Sequence, residues 1–270
     1  MGHTKSAYND MKVPANGLTF NVQIDGPEGA PWLVFSNSLC TNLHMWDAQA
    51  EYFQSRFRVL RYDQRGHGET DAPPGHYTFD LLVSDVIALF DTLGVDRAHF
   101  AGCSMGGMTT LGLVEQHPNR VITAAPCDTA AHSTPEMKTA WEERIAAAQQ
   151  NGVPSMLDST INRWFPPETV ARAPFIPKIK EMIVNTPLNG YVGCSSALSN
   201  FSYQAGLASI TLPLLVIVGT KDQMLEGSRA IHRDVPGSDL VELEGAGHLS
   251  SVDAADGYNR ALDAHISNAS

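Results

Sequence analysis

The sequence predicts an α/β fold in which a mostly parallel sheet is flanked by helices and carries an inserted helical cap. Short apolar segments that end in turn residues alternate with longer segments of helical periodicity. One long helix-like stretch then separates two groups of strand-like segments. We therefore expect residues 1–130 and 209–270 to build one core domain, and residues 131–208 to form a cap inserted between its two parts.

The first half of the chain alternates between strand-like and helix-like segments. The strand-like segments cover residues 18–24, 32–35, 58–62 and 99–101, and each is apolar and followed by turn residues. Between the last two, the apolar side chains recur at the spacing of an amphipathic helix, namely Leu82, Val86, Leu89, Phe90 and Leu93. Gly94 then supplies a helix stop. Strand, helix and strand in this order favour parallel strands covered by helices.

The pattern changes after a further strand-like segment at residues 121–125. Residues 131–206 are helix-like but interrupted by prolines, which predicts several short helices; these prolines are Pro135, Pro154, Pro166, Pro167, Pro174, Pro177 and Pro187. Strand signals return at residues 212–218 and 240–243, and a helix is predicted at 254–266. The insertion therefore lies where a lid over a site at the strand ends would be placed.

Composition limits the possible partners. The 270 residues are 43% hydrophobic and carry a formal charge of -11, so we expect one globular unit with no affinity for nucleic acid. An anionic substrate would need a local cation inside its pocket. The cysteines have neither CxxC nor zinc-ligand spacing, so we expect reduced thiols and no metal site; they are Cys40, Cys103, Cys127 and Cys194.

The N-terminal segment has no apolar core like that of a signal peptide, and no later segment offers 18 uninterrupted apolar residues. We therefore expect a cytoplasmic protein without a membrane span. Residues 2–6 match the loose myristoylation pattern, but an unstructured leader is the favoured interpretation. The sequence leaves the oligomeric state open.

The strongest chemical motif is a G-x-S-x-G at residues 102–106. It directly follows the strand-like residues 99–101 and precedes a helix predicted at 108–117. A serine on such a strand-to-helix turn is raised above the sheet, and the small residues on either side let the turn close. This context predicts the α/β-hydrolase fold with Ser104 as its nucleophile.

A serine nucleophile requires a base and an orienting acid, in the chain order serine, acid, histidine. Asp222 and His248 each follow a predicted strand, which places them at the same sheet edge as Ser104. The competing side chains fall in helices or turns and are predicted to lie at the surface; they are Glu226, Asp234, Asp239, His232 and His265. His67 is expected to shape the loop after its strand.

The oxyanion hole is predicted from two backbone N–H groups. One is that of Met105, directly after the nucleophile, and the other that of Leu39, in the loop after the strand at residues 32–35.

These motifs resemble the 3-oxoadipate enol-lactonases. The similarity covers residues 35–39, 41–47, 57–68, 71–75 and 104–108, and it continues at 163–165, 190–191 and 219–222. It implies cofactor-free hydrolysis of a carboxylate-bearing enol lactone in bacterial catabolism of aromatic acids, with the same triad. Arg163, beside Trp164 in the cap, is then the candidate anchor for the substrate carboxylate. Cys40, Cys103 and residues 249–253 depart from the family pattern.

Other functions use the same triad. A carboxylesterase and a hydrolase of C–C bonds next to a ketone remain open, and a ligand-binding receptor on a hydrolase scaffold is a third possibility. Dehalogenases and epoxide hydrolases of this fold need a carboxylate where this chain has Ser104. All three open alternatives share a small-molecule ligand.

Overall fold

The computed structural model describes residues 11–269. The predicted leader and the myristoylation pattern at residues 2–6 lie outside the described residues. Within them, eight strands form a single sheet. The strands are β1 Met11–Ala15, β2 Leu18–Asp25, β3 Trp32–Ser36, β4 Arg58–Tyr62, β5 Ala98–Cys103, β6 Val121–Cys127, β7 Leu215–Gly219 and β8 Asp239–Leu243.

The helices cover both the core and the insertion. Those of the core are α1 Asp47–Phe53, α2 Phe79–Leu93, α3 Met105–Gln116, α9 Leu225–Asp234, α10 Ser250–Asp253 and α11 Ala255–Asn268. Those between β6 and β7, which we call the cap, are α4 Pro135–Asn151, α5 Leu157–Trp164, α6 Pro167–Arg172, α7 Ile176–Val184 and α8 Leu188–Ser199. Among residues 11–269, no helix is both long and apolar enough to cross a membrane.

The predicted mostly parallel sheet is confirmed. Its strand order is β1-β2-β4-β3-β5-β6-β7-β8, and β2 alone runs antiparallel to its neighbours. Strands β3, β5 and β7 lie in its interior and are almost entirely buried, as expected for strands covered by helices on both faces. The carboxyl ends of β5, β7 and β8 consequently meet at one edge of the sheet.

Helix α2 shows why the sequence pattern was readable. The Thr78 side chain accepts a hydrogen bond from the Leu81 N–H at its start, and Gly94 adopts a left-handed conformation with φ 70° at its end. Leu82, Val86 and Leu89 lie buried on its inner face. The apolar stripe and the C-terminal stop were predicted from the sequence, whereas the N-terminal cap at Thr78 was not.

Three elements differ from the sequence prediction. Strand β1 was missed because it contains Pro14 and buries only two of its residues, a pattern tolerated at a sheet edge. The seven-residue helix α1 was missed as well. Strand β7 begins at Leu215 instead of residue 212, because Pro213 precedes the paired residues.

Two chain segments connect the cap to the core side by side. The Tyr203 N–H donates to the Ala131 carbonyl at 2.7 Å, and the Ser133 N–H donates to the Phe201 carbonyl at 3.0 Å. The cap therefore leaves and re-enters the core through a short antiparallel ladder at the edge of the sheet where Ser104 lies.

Candidate active site

Ser104 lies on a strained turn between β5 and α3. Its backbone has φ 55° and ψ -112°, a conformation that L-residues rarely adopt. The turn closes because a Cβ at Gly102 would collide with the Gly106 carbonyl, and a Cβ at Gly106 would collide with the Ser36 carbonyl. The Ser104 N–H donates to the Cys127 carbonyl of β6 at 2.8 Å. Steric contacts as well as backbone conformation therefore require glycine at both ends of the G-x-S-x-G pattern.

The structure brings Ser104, His248 and Asp222 into one hydrogen-bond chain. The His248 Nε2 and the Ser104 Oγ are 2.8 Å apart, and the His248 Nδ1 and the Asp222 Oδ1 are also 2.8 Å apart. All three side chains are buried. The sequence placed each of them just past the end of a different strand, and the parallel sheet brings those strand ends together.

The electrostatics of His248 suit a base that becomes protonated. Burial lowers the pKa of His248, but the negative charge of Asp222 and its hydrogen bond outweigh that effect, so the pKa lies above its ordinary value. The Asp222 Oδ1 also accepts a hydrogen bond from the Met224 N–H at 3.0 Å. This second contact fixes the carboxylate against the start of the loop that follows it.

The competing carboxylates lie at the surface, as predicted. The side chains of Glu226, Asp234 and Asp239 are 82%, 38% and 74% exposed. Glu226 forms an ion pair with Arg229 and Asp234 with Arg233, and none of the four lines the cavity that holds Ser104.

The prediction for two histidines was wrong. His265 is buried because it lies on the inner stripe of α11 together with Leu262 and Ile266. His232 is half-buried because its Nδ1 contacts the hydroxyl of Ser238 at 3.0 Å. Neither ring lies in the cavity beside Ser104. Helical position alone did not show which face of each helix points inward.

His67 shapes the loop beside the nucleophile, as expected. Its ring is fully buried, and its Nε2 accepts a hydrogen bond from the Cys40 N–H at 3.0 Å. Cys40 has φ 59°, so a side chain occupies a left-handed position that favours glycine. Cys40 is one of the positions that depart from the pattern of the enol-lactonases, and the hydrogen bond to His67 stabilises the unusual backbone there.

Leu39 and Met105, the predicted oxyanion-hole residues, both lie close to Ser104. Leu39 lines the cavity next to Ser104, and Met105 is the first residue of α3. Among the residues that the structure describes, neither N–H donates a hydrogen bond to a backbone or side-chain acceptor. Both N–H groups therefore lack a protein acceptor in this part of the chain, as the predicted oxyanion hole requires.

The cavity above Ser104 has a volume of about 250 Å³ and lies between the core and the cap. Its walls are largely apolar, with contributions from Leu39, Met108, Met137, Leu198 and Met224. Two cations, Arg144 of α4 and Arg163 of α5, also line it. Glu136, which is fully exposed, is its one acidic lining residue within the described chain.

Arg163 lies in the cavity wall, where the sequence had placed the candidate anchor. It is largely enclosed, and burial together with the charge of Arg144 lowers its pKa to about 10. No ion pair with a carboxylate is found for either arginine among residues 11–269. An anion in the cavity would therefore meet two cations whose charge the protein does not neutralise.

Sequence reasoning missed Arg144 and Trp141. The guanidinium carbon of Arg144 lies 4.7 Å from the centre of the Trp141 ring, a cation–π contact. Their spacing of three residues puts both on one face of α4. The three-residue spacing of a tryptophan and an arginine in the helix-like insertion is a sequence signal from which this second cation of the cavity could have been predicted.

Trp164 connects the cap to His248. The Trp164 carbonyl accepts a hydrogen bond from the His248 N–H at 2.7 Å, and the two rings are 6.2 Å apart. A Cβ at Gly247 would collide with the same carbonyl. The end of α5 therefore rests directly on the loop that carries the histidine.

Metal ligation has no support in the described part of the chain. Residues 11–269 contain no group of three or more histidine, cysteine or acidic side chains placed to hold an ion. All four cysteines are buried and unpaired with one another.

Comparison with known proteins agrees with the observed fold. Residues 31–255 match the family model for the α/β-hydrolase fold. The 3-oxoadipate enol-lactonase 2 of Acinetobacter baylyi is 34% identical over 265 residues, which cover 97% of this chain and 96% of that protein. The crystal structure of the enol-lactonase from Burkholderia xenovorans LB400 is 36% identical, with a TM-score of 0.91 over 95% of this chain and 100% of that one.

A more distant neighbour has a different activity. The esterase from Thermogutta terrifontis is 25% identical, with a TM-score of 0.89 over 97% of this chain and 99% of that one. The family model and the near-complete coverage by enol-lactonases nevertheless agree with the α/β fold of this chain. This chain therefore belongs to the α/β-hydrolase family, in the branch that contains the 3-oxoadipate enol-lactonases.

Proposed function

We propose that this hydrolase opens a carboxylate-bearing enol lactone, with Ser104 as nucleophile, His248 as general base and Asp222 as the acid that orients the base. The observation that carries the proposal is one cavity that combines the Ser–His–Asp hydrogen-bond chain with two arginines free of carboxylate partners in the described chain. The enol-lactonases among its relatives support the substrate class.

The first half of the reaction forms an acyl-enzyme. The Ser104 Oγ attacks the lactone carbonyl while His248 takes its proton, and Asp222 stabilises the resulting imidazolium. The tetrahedral oxyanion receives hydrogen bonds from the N–H groups of Leu39 and Met105. When the ring C–O bond breaks, His248 returns the proton to the leaving enol oxygen, which stays attached to the acyl group.

The second half releases the product. A water molecule gives a proton to His248 and attacks the Ser104 ester through the same oxyanion site. Collapse of this second intermediate returns the proton to the Ser104 Oγ and frees a carboxylic acid. The enol made by ring opening then tautomerises to the ketone. Apart from this water molecule and the substrate, every group used in these steps belongs to the chain.

The cap supplies specificity in this proposal. We assign residues 131–208 to a cap domain and residues 1–130 and 209–270 to the catalytic core. Arg163 and Arg144 hold the carboxylate of the substrate, while Trp164 and Trp141 keep water away from the ion pair. Because the protein carries a net charge of -11, these two cations have to offset a generally repulsive field.

A carboxylesterase is the second candidate. The observation that favours it is the esterase from Thermogutta terrifontis, whose structure superposes over nearly the whole chain. Hydrolysis of C–C bonds uses the same catalytic groups. The two arginines in the cavity favour an anionic substrate over a neutral ester.

A substrate panel tests the proposal. Enol lactones and short esters, each with and without a free carboxylate, are compared by kcat/KM, and p-nitrophenyl acetate serves as the neutral reference. We expect the carboxylate-bearing lactone to be preferred by at least about 30-fold, the effect of one buried charge pair. Equal kcat/KM values for charged and neutral substrates would favour the esterase. A single burst without further turnover on every substrate would indicate a binding protein.

We also propose that the enzyme works in the cytoplasm on a small-molecule substrate. Four cysteines that are all unpaired with one another support a reducing compartment.

A further inference from the structure

A fourth ionisable side chain, Asp128, lies behind the Ser–His–Asp chain. It directly follows β6, is completely buried, and adopts a left-handed backbone conformation with φ 50°. Its N–H donates to the Ile217 carbonyl of β7 at 2.9 Å. Burial of a carboxylate costs free energy, and so does a left-handed backbone conformation at an aspartate. Neighbouring groups must therefore stabilise Asp128 in this position.

The Asp128 carboxylate joins the loops that carry the acid and the base. Its Oδ1 accepts a hydrogen bond at 3.0 Å from the Gly219 N–H, at the start of the loop to Asp222. Its Oδ2 accepts two from Ser250, one from the N–H at 3.0 Å and one from the hydroxyl at 2.6 Å. Ser250 is two residues beyond His248. One side chain therefore fixes the distance between both loops.

The same carboxylate also contacts the strand that carries the nucleophile. The thiol of Cys103, the residue before Ser104, lies 3.6 Å from the Asp128 Oδ2 and 3.7 Å from the His248 carbonyl. The neighbouring Thr129 hydroxyl donates to the Ser104 carbonyl at 3.0 Å. The segment that holds Asp128 is thus in contact with all three parts of the proposed triad.

The charge of Asp128 acts on the same groups. Burial, and next the negative charge of Asp222, raise the pKa of Asp128 to about 7. In turn, the charge of Asp128 is one of the influences that raise the pKa of His248. The ionisable groups that face Asp128 from the elements around it are Cys103, Cys127, Asp222, His248 and Tyr258. His248 is the one among them that can carry a positive charge.

We propose that Asp128 is a positioning residue for the triad: its carboxylate ties the Asp222 and His248 loops together, and its charge supports the protonated state of His248 through the reaction. This inference rests on the proposed function of Ser104, His248 and Asp222. Asp128 does not line the cavity, so it acts through His248 and not on the substrate.

The test compares the pH profiles of kcat/KM for the wild type, Asp128→Asn and Ser250→Ala. The first variant keeps the shape but removes the charge and one hydrogen-bond acceptor, whereas the second removes one hydrogen bond and keeps the charge. We expect Asp128→Asn to move the acid limb of the profile to lower pH by about 0.5 to 1 unit, because His248 loses a nearby negative charge. We expect Ser250→Ala to leave the acid limb in place. KM for the lactone should change little in both variants.

An assigned ¹³C NMR titration of the aspartate carboxyl carbons provides a second measurement that needs no variant. We expect the wild-type Asp128 signal to titrate near pH 7. An Asp128 signal that remains that of a neutral carboxyl group well above pH 7 would overturn the electrostatic role even if Asp128→Asn failed to fold, because an uncharged carboxyl group cannot support protonated His248.

The outcomes separate this inference from the proposed function. An inactive Ser104→Ala together with an unmoved acid limb in Asp128→Asn would overturn the role of Asp128 and leave the triad standing. An active Ser104→Ala would overturn the triad itself. A shifted acid limb in Asp128→Asn, with none in Ser250→Ala, supports the positioning role, because a purely structural contact would not move it.

Discussion

Replacement of Arg163 by methionine tests how the cavity selects its substrate. Methionine keeps an apolar stem of similar length, so the packing of α5 against the cap is largely retained. Arg163 is largely enclosed, and burial together with the charge of Arg144 lowers its pKa to about 10. The guanidinium is therefore already desolvated and lacks a counter-charge, and the carboxylate of a bound substrate supplies one.

The expected loss of kcat/KM follows from the burial of Arg163. Truncating one partner of a buried, hydrogen-bonded charge pair costs about 2 to 4 kcal/mol, which corresponds to a loss of roughly 30- to 900-fold in kcat/KM. Because Arg144 remains and also binds the carboxylate, we expect Arg163→Met to lower kcat/KM by a factor nearer to about 30 than to about 900. The double variant with Arg144→Met should lose more than either single variant.

The assay measures kcat/KM for a carboxylate-bearing lactone and for a neutral ester of similar size. Neutral-ester hydrolysis should remain within about threefold of wild type, since only the charge pair is lost. Arg172→Met is the matched control, because Arg172 is an exposed cation of the cap that does not line the cavity. Equal losses of kcat/KM on charged and neutral substrates would contradict a role of Arg163 in carboxylate binding and would indicate that it only stabilises the cap.

Three further predictions concern the triad and the fold. Asp222→Asn should lower kcat by roughly 10⁴, whereas Glu226→Gln, at an exposed ion pair, should be nearly silent in the same assay. The acid limb of kcat/KM should have its midpoint above about pH 6.5, because the raised pKa of His248 means that the base is lost to protonation as pH falls through that value. Gly94→Ala should reduce stability to thermal unfolding by about 1 kcal/mol, and Gly94→Asn by less, because asparagine tolerates the left-handed cap conformation better.

The sequence predicted those features that depend on local pattern and chain order. The strand-to-helix turn at Ser104 is a local signal, because the glycines on either side are required by contacts within a few residues and with one neighbouring strand. Asp222 and His248 follow strands, and parallel strands necessarily bring their carboxyl ends to one edge. Position along the chain was therefore enough to predict that these side chains would meet.

Features that depend on the cap were less predictable. Arg144 and Trp141 reach the cavity only because α4 crosses above Ser104, and no local pattern specifies that crossing. Asp128 escaped notice because its partners, Gly219 and Ser250, are about 90 and 120 residues away in the chain. A buried carboxylate with distant partners resembles an ordinary turn residue until the strand order is known.

The central claim is that Ser104 forms the acyl-enzyme, and Ser104→Ala tests it most directly. The measurement is kcat for the carboxylate-bearing lactone, with circular dichroism to establish that the variant is folded. Removing the hydroxyl leaves the elbow intact, since alanine is smaller than serine and the buried Cys127 carbonyl keeps its backbone donor. The account predicts a loss on the order of 10⁶ in kcat, and activity within tenfold of wild type would contradict it.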